Sequence, residues 1–521
     1  MPAVNRHGYA AGQHVTMRLD ALGQNVHSGC FGLSWWFIRV FVILGGAWGL
    51  TATHTIAFAY IIRALQQDIP MDTNQKALVN GSVMLGAFCG SFIFGNLADS
   101  RGRKFALIIS FFLAHFASGL RATAPNLEIL IVFRFISGLG LGGEQPVMAA
   151  LIMELAPTRL RGRVLVYLDT FYPIGHAVAV ILGREVEPEI GWRAATAFNG
   201  IAVLYIFLIY FWVPESPKWL AHAGHFEESV RVLRSIERQC SVYQPKEADE
   251  AIYNLERMEV AGSTGMYLVQ PQKLSFWQLV ANRFRILLRY PYLQRTLVLW
   301  VVWLGIALTN GAIDLYLEDH FVKELKGRGS ESVVVYGDIL AQIPGTLLAS
   351  VLIDRIGRKQ TLVGFLLLAN AGALLEAYLD PTTTALLLSG CIRNFAFMGA
   401  WGTLYAYTPE HYPISIRVIG ISYAWGISRI GAFAGPYAVI YMAEHWSMSI
   451  PAVMWTFCGI SLAVVAVLVF FGVETTHEDS DKGDFKASSA PTDTQSVNES
   501  VVVYMRHEEE KLPVHPPIHF I

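Results

Sequence analysis

The stretch RFISGLGLGGEQPVMAALIMELAPTRLRGRVLVYLDTFYPIGH, residues 134–176, decides the fold. It reads as two apolar helices joined by a short turn carrying Arg159, Arg161 and Arg163, and the helices hold Arg134, Glu144 and Asp169 inside otherwise apolar runs. An ionisable group at lipid depth is costly and faces a partner or a watery cavity. The stretch therefore predicts a polyhelical membrane protein with an aqueous path.

The same pattern returns about 256 residues later, where Glu154, Pro157, Arg161, Gly162 and Gly175 find counterparts in Glu410, Pro413, Arg417, Gly420 and Gly431. A second pair agrees: GNLADSRGRK, residues 95–104, recurs as SVLIDRIGRK, residues 350–359, at an offset of about 255. Two pairs on one offset argue for a duplicated half with parallel repeats.

Composition sets the class. Of the 521 residues 53% are hydrophobic and only 15% charged, against about 25% charged in ordinary soluble domains. Apolar runs of the length that crosses a bilayer as helix fall near 38–62, 80–98, 105–121, 127–154, 164–183, 192–213, 296–317, 333–353, 360–379, 384–408, 418–443 and 450–472. The expected fold is an all-α membrane protein of twelve spans in two six-helix bundles. The expected division is an N-terminal segment 1–34, a bundle 35–213, a linker 214–293 with short amphipathic helices, a bundle 294–473, and a disordered tail 474–521 rich in Asp, Glu, Ser, Thr and Pro.

A net charge of -2 excludes a strongly basic nucleic-acid binder. Arg101, Arg103 and Lys104, then Arg159, Arg161 and Arg163, then Arg355, Arg358 and Lys359 fall in loops on one side, which places that side and both termini in the cytoplasm. The five cysteines form neither a disulfide framework nor a metal site. The linker lacks a nucleotide-binding loop or nucleophile motif, so neither an enzyme nor an ATP-driven pump is expected. No cofactor is expected.

Polar groups within the spans are the candidate site. His54 shares a face of the first span with Thr51 and Phe58, and Glu144 lies about 15 Å deeper than Arg134 at ~1.5 Å per residue. Pro146 beside Gly142 and Gly143 predicts a weakened helix there. Asp169, Tyr172 and His176 recur at i, i+3 and i+7, a polar stripe that a cavity explains better than core packing. The second half offers Asn310, Asp314, Gln342, Asn394, Trp401, Tyr405, Trp425 and Arg429. A buried guanidinium at Arg429 is suited to grip a carboxylate through two parallel bonds, or else to pair internally with Glu144, Asp169 or Asp314.

The paired GNLADSRGRK and SVLIDRIGRK segments, Arg134-Phe-Ile-Ser-Gly-Leu-Gly140, Pro214-Glu-Ser-Pro-Lys-Trp219 and the six-plus-six spans resemble the major facilitator superfamily. Within it, GLGLGGEQPV (138–147) and GAWGTLYAYTPEHYPISIRVIG (399–420) look like the metabolite-symporter branch that includes niacin permeases and synaptic-vesicle-type relatives. Members of that branch often carry an acidic pair in the first span, where Thr51 and His54 stand here.

The resemblance implies alternating access to a site between the halves. Gating falls to Asp99, Gly102, Arg103, Lys104, Arg134, Glu154 and Arg161 with Asp354, Gly357, Arg358, Lys359, Glu410 and Arg417 on the cytoplasmic side. Glu144, Asp169 and Asp314 are the expected proton-coupling acids. His54, Glu144, Tyr172, His176, Asn310, Gln342, Asn394, Trp401, Tyr405, Trp425 and Arg429 are the expected solute contacts. The expected partners are a small-molecule solute, protons and the plasma-membrane bilayer, with the chain a monomer. The expected function is proton-coupled transport of a small organic acid, nicotinate-like by resemblance. A facilitator of sugars or other polar solutes and a non-transporting sensor or trafficking protein stand as alternatives.

Overall fold

A computed structural model describes residues 6–24, 34–240, 249, 276–325, 331–379 and 382–475, and every regular element among them is helical. The N-terminal half comprises α2 (Trp35–Asp68), α3 (Thr73–Arg101), α4 (Arg103–Leu120), α5 (Leu127–Leu155), α6 (Arg161–Asp169) continued by α7 (Phe171–Ile181), and α8 (Glu187–Ile201) continued by α9 (Ile206–Trp212). The C-terminal half comprises α13 (Leu293–Leu325), α14 (Glu331–Arg355), α15 (Arg358–Tyr378), α16 (Thr383–Tyr407), α17 (Arg417–Glu444) and α18 (Ile450–Phe471). Counting α6–α7 and α8–α9 as one each, twelve segments are long enough to cross. A short helix α1 (Arg6–Gln24) precedes them, and α10 (Pro217–His222), α11 (Phe226–Gln239) and α12 (Phe276–Leu287) join the halves.

Local chemistry sets the helix ends. Asp72 and Gln75 form a reciprocal capping box at the start of α3, with Asp72 accepting from the Gln75 N–H at 2.7 Å. Asn126 and Thr382 cap α5 and α16 by accepting the N–H three residues on. Where helices touch most closely, side chains vanish: a Cβ on Gly90 of α3 or Gly142 of α5 would meet the backbone of the facing helix.

Hydropathy separates the lining from the jacket. Eight stretches are apolar enough on their own to span, one of them (158–212) long enough for two crossings. The helices that do not stand out this way, α5, α16 and α17, lie inside, with nearly every side chain of α5 from Gly140 onward buried. The halves pack alike: α3 on α5 and α4 on α5 in the first, α14 on α16 and α15 on α16 in the second. They meet through α3 against α17 and α6 against α14, again an equivalent pair.

The bend expected near Pro146 is not a break. Helix α5 runs through it unbroken. The interruption falls in the fifth crossing, at Thr170 beside Asp169 and again in a π-helical turn at 182–186, an irregularity frequent at functional sites. The side chain of Asp314, the linker residues 241–275 apart from Asp249, where further amphipathic helix is expected, and the tail beyond Thr475 lie outside the described side chains or residues.

Candidate functional site

A cavity of about 370 Å³ lies between the halves, within the range of roughly 300–1,000 Å³ typical of small-molecule sites. Its walls come from α2, α3, α5, α6, α7, α13, α14, α15, α16 and α17, so both repeats contribute. On α14 it touches residues 334–342, the end away from the basic turn at Arg355, and on α15 only Glu376 in the last helical turns. The space thus runs from mid-membrane toward the face opposite the basic loops.

Asp169, Tyr172, His176, Asn310, Gln342, Asn394, Trp401, Tyr405 and Arg429 all line it. Asp169 accepts a 3.2 Å hydrogen bond from Trp48 Nε1 through one oxygen, while Oδ2 accepts none. His176 Nδ1 lies 3.5 Å from Gln342 Nε2, joining the halves across the space. At the inner end, Trp425 Nε1 donates to Tyr405 OH at 2.9 Å and to Gln145 Oε1 at 3.2 Å. Tyr405 stands edge-on to Trp48 and Trp303, with ring centroids 5.0 and 5.1 Å apart, and Trp401 packs on Trp303 at 5.5 Å. The Arg429 guanidinium rests over the Trp425 ring at 4.0 Å. Among the described residues no carboxylate reaches ion-pair distance of Arg429, so the internal pair with Glu144 or Asp169 is not made.

His54, Glu144 and Trp425 do not line the cavity. Trp425 supports its floor from behind. Glu144 and His54 point into the interior of the N-terminal half, because on a helix neighbouring residues diverge by about 100° and the cavity-facing neighbours are Gln145 and Thr55. Gln145 escaped the sequence reading; an uncharged amide at lipid depth draws less notice than the acid beside it. Arg393 and Glu376 also line the space as a buried ion pair at 3.0 Å.

The basic face is shut by two copies of one arrangement. In the first, Arg103 bonds Asp99 at 3.0 Å, Glu154 at 3.0 Å and the Ala98 carbonyl. In the second, Arg358 bonds Asp354 at 3.0 Å, Glu410 at 3.1 Å and the Ile353 carbonyl. Each turn hinges on a glycine with positive φ, Gly102 at 110° and Gly357 at 99°. Each next helix is capped in trans by a distant carboxylate: Glu215 accepts from the Arg103 and Lys104 N–H groups, Glu474 from those of Arg358 and Lys359. Lys104 and Lys359 complete the match, donating to the carbonyls of Tyr210 and Val469. Neither capping Glu is visible as such in the sequence, since the contact spans more than 100 residues. Burial pushes the Glu215 and Glu410 carboxyls up, opposed by the adjacent guanidinium of Arg103 or Arg358 and by hydrogen bonds.

Contacts cross between the halves here: Arg103 Nη2 donates to the Ile414 carbonyl at 3.2 Å, Asn96 donates to Tyr423 OH at 2.8 Å, and Arg163 pairs with Asp354. Arg161 and Arg417 are buried at the starts of α6 and α17, with Arg417 donating to the Tyr412 carbonyl. Arg134 lies apart from this set. Its guanidinium donates to the Val79 carbonyl and covers the Phe58 ring, near the opposite face.

The family model described as "Sugar (and other) transporter" matches residues 39–483. The niacin transporter NiaP of Acinetobacter baylyi is 34% identical over 434 residues, covering 83% of this chain and 93% of that protein. The synaptic vesicle 2-related protein of Rattus norvegicus is 26% identical over 466 residues, 85% of this chain and 79% of that one. Among solved structures, the proton:xylose symporter XylE superposes with a TM-score of 0.68 at 18% identity, over 87% of this chain and 99% of that one. That likeness is one of fold.

Proposed function

We propose, on the premise that this chain belongs to the sugar (and other) transporter family of the major facilitator superfamily, that it carries a small organic acid, nicotinate-like in size and charge, by alternating access coupled to protons. The observation that carries this reading is Arg429: a guanidinium at the cavity wall, stacked on Trp425 and flanked by Tyr405, with no carboxylate among the described side chains at ion-pair distance. Such a group offers two parallel N–H donors to a solute carboxylate. The rings of Trp401 and Tyr405 offer flat faces to an aromatic ring, and Asn310, Gln342 and Asn394 supply neutral polar contacts. The niacin transporter of Acinetobacter baylyi supports the choice of acid.

The mechanism follows from the two ends of the molecule. With the mirrored ion pairs made, the halves touch at the basic face and the cavity is displaced toward the other face. Rocking the halves breaks these crossing contacts and exposes the same cavity to the basic side. Under the positive-inside tendency that side is the cytoplasm, both termini lie there, and the chain is a plasma-membrane monomer. A protonatable group that changes partners during the cycle couples the proton gradient to solute movement.

The test is uptake of radiolabelled nicotinate into proteoliposomes of the purified protein, competed by nicotinamide, xylose and unlabelled nicotinate. Competition by nicotinate alone, lost in Arg429→Ala, is expected. Uptake of radiolabelled xylose in place of nicotinate refutes the acid and favours the sugar reading, which the amide-rich cavity wall suits.

A further inference from the structure

Behind the cavity wall, inside the N-terminal half, lies a second group of polar side chains that the solute path does not use. Glu144 is fully buried; its Oε2 accepts a 2.5 Å hydrogen bond from Thr51 Oγ1, while Oε1 accepts none and faces His115 Nε2 at 3.6 Å. His115, also fully buried, packs its ring 5.5 Å from that of His54 and 4.1 Å from Phe111. His54 Nε2 lies 2.7 Å from Ser137 Oγ, and its Nδ1 has no partner. None of the three titratable groups touches the cavity, yet Thr55 and Gln145, the next residues along α2 and α5, line it.

We propose that Glu144 and His115, with His54 beside them, form a proton-binding site separate from the solute cavity and linked to it through α2 and α5. This rests on the transport reading above. A buried carboxylate needs either a cation or hydrogen bonds to all its lone pairs, and here one oxygen has neither. The charged side chains that act on His54 and His115 are Arg121 and, for His54, Arg134. They hold the Phe58 ring from 5.5 and 3.5 Å, and Arg134 is engaged with the Val79 carbonyl. From α8 the backbone of Asn199 faces His115. A single added proton resolves the mismatch: one O–H bond forms on Glu144 Oε1, the carboxylate charge goes from negative to neutral, and the hydrogen lies toward His115 Nε2. The same proton on Nε2 makes an ion pair instead, so the two groups titrate as a unit.

The link to the solute is short. Thr51, which bonds Glu144, sits one helical turn from Trp48, which bonds Asp169 and packs on Tyr405. Gln145, next to Glu144, accepts from both Tyr405 and Trp425 on the cavity floor. A change in the Glu144–Thr51 bond therefore shifts α2 against α5 at the point where both hold the floor.

The experiment uses wild type, Glu144→Gln, His115→Gln and Thr51→Val in proteoliposomes, with radiolabelled nicotinate as probe. Glutamine keeps the shape and an acceptor for Thr51 but binds no proton. Expected for Glu144→Gln is counterflow exchange within about threefold of wild type, no accumulation above equilibrium under an imposed proton gradient, and a flat pH profile of exchange. His115→Gln and Thr51→Val each displace the midpoint of that profile, which keeps the test open should Glu144→Gln fail to fold. Uphill accumulation by Glu144→Gln equal to wild type, or unmoved profiles in the other two, overturns the site. Should wild type exchange no nicotinate, the solute reading fails by itself. The proton site is then read in purified protein as a carboxylic-acid infrared band that titrates with pH: a band missing from Glu144→Gln supports the site, and an unchanged band overturns it.

Discussion

Replacing Gly102 by alanine tests whether the turn at the basic face is built as described. Gly102 has φ 110° and ψ 152°, a region open almost only to glycine, where a side chain costs about 1–3 kcal/mol. An added Cβ would also collide with Glu215 Oε2, the atom that accepts from Lys104 N at 3.1 Å. Displacing that carboxylate loses the cap of α4, worth about 0.5–2 kcal/mol by analogy with side-chain N-caps. Gly102→Ala should therefore cost roughly 1.5–5 kcal/mol in the wild-type background. With Glu215→Ala already in place the cap is gone and the nearest remaining side-chain atom is Trp219 Cζ3 at 3.2 Å, so the backbone strain of about 1–3 kcal/mol is the main cost that remains. The four proteins of the cycle are compared by chemical unfolding in mixed micelles. The two changes should fall short of additivity by about the worth of the cap. Full additivity, or a neutral Gly102→Ala, refutes the reasoning. Gly357→Ala with Glu474 forms the matching cycle, since a Cβ there would lie 2.7 Å from Glu474 Oε2.

Other outcomes are open to measurement. Arg163→Ala removes a partly exposed ion pair across the halves, worth about 0–1 kcal/mol, and should raise opening of the basic face by up to about fivefold. Alkylation of Ser422→Cys, buried where Gly95 of the other half meets it, reads this; an unchanged rate counts against the latch. Arg429→Lys keeps the charge but loses the flat stacked fork, so the KM for nicotinate should rise about tenfold; an unchanged KM refutes the proposed contact. Gln145→Leu strips an acceptor from the Tyr405 hydroxyl and the Trp425 indole and should destabilise by about 1–3 kcal/mol, seen as a lower melting temperature. Asp169→Asn retains an acceptor for Trp48 and should fold normally while transport falls; a lowered melting temperature would assign Asp169 a structural role instead.

Much of this architecture was legible in the residues. The duplicated Asp-Gly-Arg-Lys turns and the 20-residue apolar runs announce a two-half bundle because lipid forces each crossing to be helical. The Asp169, Tyr172 and His176 stripe was readable because one spacing put three polar groups on one face. Glu144 was misplaced for a related reason. From Gly140 onward helix α5 is buried all round, so the stretch that holds Glu144 carries no lipid-facing stripe from which to tell the cavity side from the side packed on α4. The trans caps at Glu215 and Glu474 were unreadable for want of any local pattern: they join segments brought together only by the finished fold.

The doubled turn has a consequence for how the carrier waits. The mirrored ion pairs hang on one leaflet, and the cavity opens toward the far rim. On the proposed mechanism, a molecule in this state meets its cargo first from the compartment away from the arginines. Loading, rather than thermal chance alone, must loosen a pair of identical clasps at once. A mutation in either clasp should leave a carrier that leaks its readiness to the wrong compartment before it loses its shape.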